Sequence, residues 1–430
     1  MSFGTLRKDI MRGSFSCALV LLSGLMVSAC SSDSDKADGG PSNGGGTGDG
    51  ASGSGNSAAA GKQATNGGGS SDAGANGGTP SAGANGGGSS SAGAPTTPPG
   101  STPVAMPLIS ANAPAFASSN SAMAGAAKDR KPDGRWTSTE IPAWLAYDLS
   151  AAPAAARNRV LVAWYAGAAV GFINNPPDAS VMLPIDYTLE INDAAGGAEP
   201  PKDGWKVVAT VTANDRNARQ RLLDLNGANW VRINVTKSSA PDGVGIDMDV
   251  HSAPEGATDS WLLMGDSITF LSTAYLFSDL PALVNQRDPD RFPAIIPAAI
   301  GGTNTGTALA AFDETLADYP GRFVGLAYGT NGQVADFQME DLVKKVIALG
   351  KTPVVPHMPW ADDPTTQEKG PQINAKIDEL YAKYPEIYRG PDLWQTFLDH
   401  PELLGPGGDV HPNNDGQEAL RKAWADTMTR

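Results

Sequence analysis

Trp261-Leu262-Leu263-Met264-Gly265-Asp266-Ser267-Ile268-Thr269 decides how the second half of this 430-residue chain is read. Four apolar residues make a short strand, and Gly265-Asp266-Ser267 turns directly toward a helix expected over Leu271 to Phe277. A serine at a strand-to-helix turn projects its hydroxyl at the carboxyl edge of a sheet, with the helix N-terminus behind it. The same residues also fit a plain capped helix start, so the surroundings have to decide.

Downstream, strand and helix patterns alternate to the C-terminus. Leu342, Val343, Val346 and Ile347 have helical spacing, Gly350 stops that helix, and Val354-Val355 resumes as a strand. Residues 258–430 therefore read as an α/β domain with a parallel sheet flanked by helices. Three more blocks follow the serine in order. Ile300-Gly301-Gly302-Thr303 and Tyr328-Gly329-Thr330-Asn331 each close a strand, and Asp409-Val410-His411-Pro412-Asn413 precedes a final helix.

Ser267, Gly302, Asn331 and His411, in that order, resemble the four blocks of the SGNH (GDSL-like) hydrolases, over about 170 residues. The resemblance implies a three-layer fold, carboxylic ester hydrolysis through an acyl-enzyme, and no cofactor. Ser267 is then the nucleophile and His411 its base. The oxyanion hole is the N–H of Ser267, the N–H of Gly302 and the side-chain amide of Asn331. The residue types suit the chemistry: a hydroxyl is a poor nucleophile until a base takes its proton, and imidazole does so near neutrality. The chain departs from the family at the orienting acid. Many members carry Asp three residues before the histidine, where this chain has Gly408, and the acid here is Asp409. Either a shifted loop brings Asp409 to the imidazole, or a backbone carbonyl takes its place.

The preceding stretch, 129–257, is different. Arg159–Trp164, Tyr187–Ile191, Trp205–Val211, Trp230–Val235 and Gly245–Val250 read as short strands between Gly, Pro and Asn turns, which suggests an antiparallel β-sandwich. Asp133-Gly134-Arg135-Trp136, Pro142-Ala143-Trp144-Leu145, Asp203-Gly204-Trp205 and Trp230-Val231-Arg232 resemble galactose-binding-like (discoidin) jelly rolls. Many such modules bind carbohydrate and others only support a catalytic domain.

Residues 1–29 have the layout of an export signal: Arg7, Lys8 and Arg12, then an apolar run. Val27-Ser28-Ala29-Cys30 resembles a bacterial lipobox, which implies a lipid on Cys30 and an exported, membrane-anchored protein. Residues 30–128 are expected to be a Gly/Ser/Ala-rich coil acting as a tether. Cys17 lies in the signal, so the two cysteines offer no disulfide. The net charge of −15 argues against nucleic acid as a partner.

Among the four histidines, His357 and Trp360 follow a strand at its carboxyl end and are candidates for substrate contact, with loop packing as the alternative. His400 reads as a surface turn. Asp247, Asp249 and His251 share one face of a strand, a row that suits a cation but more often is solvated; no catalytic metal is expected. The reading is a serine esterase acting on short acyl, mainly acetyl, esters of carbohydrate. The alternatives are a lipase or lysophospholipase, or an inert carbohydrate-binding lipoprotein.

Overall fold

A computed structural model describes residues 102–128, 135–166, 182–275 and 279–430. The expected lipobox at Cys30 and most of the expected tether lie outside the described residues. So does the end of the helix expected to reach Phe277; its start is the five-residue π-helical stretch Leu271–Tyr275.

The C-terminal half is built on a parallel sheet. Its strands are β10 (Ser260–Gly265), β11 (Ala294–Pro297), β12 (Phe323–Ala327), β13 (Thr352–His357) and β14 (Tyr388–Asp392), in the order β11-β10-β12-β13-β14. The apolar run of β10 is buried throughout because both faces are covered. Leu262 and Met264 pack on one side with Phe312 and Leu342, while Trp261 and Leu263 pack on the other with Phe323, Leu420 and Trp424. The covering helices are α1 (Ser267–Phe270), α2 (Leu280–Arg287), α3 (Thr305–Leu316), α4 (Met339–Ala348), α5 (Pro364–Lys383), α6 (Leu393–Asp399) and α7 (Asn414–Met428).

The N-terminal half is an antiparallel sandwich. One sheet has the order β1 (Ala115–Ala117), β3 (Ala143–Asp148), β8 (Trp230–Ser238), β5 (Pro184–Asn192), β6 (Lys206–Val211). The other runs β2 (Trp136–Thr137), β9 (Gly245–Ser252), β4 (Arg159–Tyr165), β7 (Ala218–Asp224). Val231, Ile233 and Val235 meet Ile246, Met248 and Val250 in the shared core, as alternation dictates.

Two expectations need correction. The coil expected to residue 128 ends sooner: Ala115 pairs with Tyr147, and Ser110 accepts the Val250 N–H at 2.9 Å. Backbone pairing orders this segment together with its own apolar residues: Met106 and Ala113 are buried in the cores, and Phe116 lies 5.5 Å from the Trp230 ring. The row Asp247, Asp249 and His251 is not a solvated face. His251 is fully buried, stacks on Phe292 and holds its Nδ1 3.1 Å from the Met106 carbonyl. That face of the sandwich packs against the α/β half, where Tyr165 and Ala218 join the cluster around Leu262 and Phe312. The same seam explains β7, a strand the sequence does not advertise. Its Arg219 and Arg221 reach Asp318 at 3.2 and 3.0 Å, so its polar residues serve the seam.

Candidate active site

Connections from β10 leave to opposite sides, toward β11 and then back across to β12. The loops after these three strands therefore meet at the carboxyl edge of the sheet, where such crevices form. Ser267 begins α1 directly after β10, with Asp266 as the cap whose side chain accepts the Ile268 N–H. Gly265 is required there: a Cβ would sit 2.5 Å from Thr269 Oγ1 and 2.9 Å from the Ala327 carbonyl.

The structure brings Ser267, His411 and Asp409 into one line. Ser267 Oγ lies 2.8 Å from His411 Nε2. Asp409 Oδ1 accepts from the His411 ring at Nδ1, 2.7 Å away, and from the His411 backbone N–H at 3.0 Å. Asp409 thus orients the imidazole from two positions upstream. The double contact works because the same carboxylate oxygen fixes both the backbone and the ring. Partial burial pulls its pKa upward, yet the hydrogen bonds from His411 prevail and hold the carboxyl below its ordinary value. The Leu404–Pro412 bridge and the Asn413 cap of α7 fix the loop that carries the pair.

The loops that carry the expected oxyanion donors Gly302 and Asn331 lie after β11 and β12. A Cβ at Gly301 would lie 3.8 Å from Ser267 Cβ, so the β11 loop runs against the serine. Gly302 is exposed and has φ +75°, a conformation that favours glycine. Asn331 donates from Nδ2 to the Thr303 carbonyl at 3.0 Å, which holds the amide beside Gly302.

Two groups were not legible as functional in the sequence. Lys369, in the second turn of α5 and 9% exposed, donates from Nζ to the Thr330 carbonyl at 2.5 Å and the Gly332 carbonyl at 3.1 Å. These are the residues on either side of Asn331, so the ammonium fixes the backbone that presents the amide. Burial lowers the Lys369 pKa, against the charges of Asp363 and Asp266. Asp266 is fully buried, and its carboxyl is pushed up to about 6 by that burial, opposed by the Ile268 N–H and by the charge of His411.

His357 is not part of this set. Its Nε2 is 3.1 Å from Asp378 and its Nδ1 3.3 Å from Asp392, so both ring nitrogens face carboxylates rather than Ser267. Trp360 is half-buried against the cluster that includes Ile268, the residue after the nucleophile. His400 is exposed and 3.0 Å from Glu402. Among the described residues no group of three or more His, Cys, Asp or Glu is placed to hold a metal ion.

Residues 263–419, most of the α/β domain, match the GDSL-like Lipase/Acylhydrolase family. No curated protein matched the chain. Among solved structures, an acetylxylan esterase from Geobacillus stearothermophilus aligns at 15% identity, covering 40% of this chain and 94% of its own, with a TM-score of 0.34. The C-terminal catalytic domain of Streptococcus pneumoniae peptidoglycan O-acetyltransferase A aligns at 22% identity over 40% of this chain and 90% of its own, TM-score 0.30. A chitosan-binding module 1 from a Paenibacillus sp. IK-5 chitosanase/glucanase aligns at 21% identity over 33% of this chain and 97% of its own, TM-score 0.26.

Proposed function

We propose that this chain is a serine esterase that removes short acyl groups, acetyl above all, from carbohydrate through an acyl-enzyme. The observation that carries it is the unbroken line from Asp409 through His411 to Ser267, at 2.7 and 2.8 Å, with the Gly301 loop against the serine. His411 Nε2 takes the Ser267 proton as Oγ attacks the ester carbonyl, and the oxyanion meets the N–H groups of Ser267 and Gly302 and the Asn331 amide. As the tetrahedral intermediate collapses, the ester C–O bond breaks and His411 returns the proton to the leaving alcohol. Water, deprotonated by the same imidazole, then attacks the acyl-enzyme and frees the carboxylic acid.

The surroundings favour a small acyl group on a polar alcohol. Gly301, Gly302, Gly332 and Asp409 on the rim are exposed. The exposed large apolar residues among those described, Val104, Met123, Val207, Leu349 and Leu398, lie outside the four catalytic loops. A long acyl chain finds no apolar groove in that set. The free face of the five-stranded sandwich sheet carries Trp144, Asn234 and Thr188 in register, with Arg232 stacked 4.1 Å over Trp205. Aromatic faces beside planar hydrogen-bonding groups suit a saccharide. A lipid on Cys30 would hold the enzyme at the outer side of a membrane.

The test is acetate release from acetylated xylan by the full chain, run beside p-nitrophenyl esters of increasing acyl length. The expected result is turnover of acetyl esters that falls steeply with chain length and drops by about 10⁴-fold or more in Ser267→Ala. Preference for long chains would instead mean a lipase. No turnover of any ester by the folded protein would leave only a binding role.

A further inference from the structure

At the opposite, amino edge of the parallel sheet, the seam between sandwich and α/β domain opens into a cleft of about 280 Å³. A cavity lined by Trp164 and Phe292 elsewhere on the seam measures only about 60 Å³. Three cations line the larger cleft, Arg159 from the sandwich and Arg322 and Lys351 from the α/β domain, and no carboxylate does. In a chain of net charge −15 that segregation runs against composition.

The fold creates it. Arg322 and Lys351 immediately precede β12 and β13, which lie side by side with Phe323 opposite Thr352, so pairing sets the two cations next to each other. Arg322 donates from Nε to Thr352 Oγ1 at 3.1 Å, which fixes the guanidinium and leaves its two terminal nitrogens without a partner among the described residues. Lys351 donates to the Tyr319 and Gly321 carbonyls at 2.9 and 2.6 Å and sits over the Tyr319 ring, with one N–H left over. Arg159 opens β4 and reaches the same space from the other domain. Among the described residues none of the three stands within 4 Å of a carboxylate, whereas Arg219, Arg221, Arg232, Arg287 and Arg291 all do. Burial lowers the Lys351 pKa, an expense that a bound anion would offset.

We propose that this cleft is a binding site for a small oxyanion of the phosphate class that carries an apolar substituent, distant from Ser267 and independent of the ester chemistry. Two guanidinium forks and an ammonium match a doubly charged tetrahedral oxyanion, and a cleft focuses their field. The volume is roughly nine times the ~30 Å³ share of a water molecule, more than inorganic phosphate needs. Leu161, Leu222 and Leu349 line the remainder, which calls for an apolar portion. Because Arg159 belongs to one domain and Arg322 and Lys351 to the other, occupancy ties the two together.

The experiment is calorimetric titration and thermal melting of the full chain with inorganic phosphate, phenyl phosphate and benzoate, in wild type, Arg159→Gln and Lys351→Gln. Expected are a melting temperature that rises with phenyl phosphate and an affinity for it at least tenfold above that for either inorganic phosphate or benzoate. Each variant should weaken binding at least fivefold while ester turnover is unchanged. Equal affinity for phosphate and phenyl phosphate would overturn the apolar portion. No binding at 10 mM (about the weakest affinity such a site needs to matter), or binding that both variants retain, would overturn the site. Arg159 makes no side-chain hydrogen bond among the described residues, so Arg159→Gln tests charge without loss of a structural contact.

Discussion

One sheet edge carries two histidines against aspartates, and only one of them also meets a serine hydroxyl. His411 has Asp409 on one nitrogen and the Ser267 hydroxyl on the other. His357, at the end of β13, has Asp392 on one nitrogen and Asp378 on the other. A carboxylate beside an imidazole fixes a tautomer and an orientation in both places. What differs is the partner of the second nitrogen. Where that partner is a hydroxyl, the ring is a base with a proton to collect; where it is a second carboxylate, the ring is a bridge that holds two helices.

The largest expected effect comes from removing the acid from the catalytic side. In Asp409→Asn the side chain can present a donor to His411 Nδ1, which favours the wrong tautomer for taking the serine proton. Turnover of p-nitrophenyl acetate should fall by about 10³- to 10⁴-fold with KM little changed. Asp409 is 49% exposed, so solvent can partly replace it, which argues for the lower end. Near-normal turnover would break the comparison, because His411 would then be oriented by its backbone setting and a Ser-His dyad would suffice.

A smaller effect is expected one layer out, at Lys369. Replacing it by Met leaves the Thr330 and Gly332 carbonyls without their buried donor. Asn331 would then be presented by a looser loop. Loss of an oxyanion donor outright typically costs about 10²- to 10³-fold, and its misplacement should cost about 10-fold to 10²-fold in kcat. KM should hold, and Lys369→Arg should recover part of the loss. A fall in melting temperature with kcat intact would make Lys369 merely structural.

These residues also mark how far the sequence could be read. Ser267, Gly302, Asn331 and His411 stand at strand ends or before a helix, where local pattern announces position, and the α/β layering follows from the same alternation. Asp409 was ambiguous because loop shape, not spacing, decides whether an acid two residues upstream reaches the ring. Lys369 was invisible: its neighbours Glu368 and Gly370 give no sign that this lysine turns under a loop nearly forty positions earlier. The sandwich strands with clean alternation were legible. β7 and the row ending at His251 were not, because their partner is the other domain, and a polar strand facing a seam has the pattern of one facing water.

The smallest effect belongs to His357, and it separates bridge from base by pH. Burial alone would pull this imidazole down, but hydrogen bonds and charge from Asp392 and Asp378 outweigh it and leave its pKa above the ordinary value. The other groups close by are Tyr381, whose ring is 5.8 Å away, and Arg389, stacked on that ring. A pKa raised by folding adds stability in full below the unfolded value of about 6.5 and loses it as pH climbs through the folded one. Asp378 and Asp392 are 64% and 55% exposed, so solvent screens the bridge and its worth is about 1 kcal/mol or less. His357→Gln should therefore lower the melting temperature by roughly 2 °C at pH 5.5, with little change at pH 9 and kcat unaffected at both. A loss of kcat with the melting temperature held would move His357 into the catalytic set, and the distinction between the two imidazoles would fail.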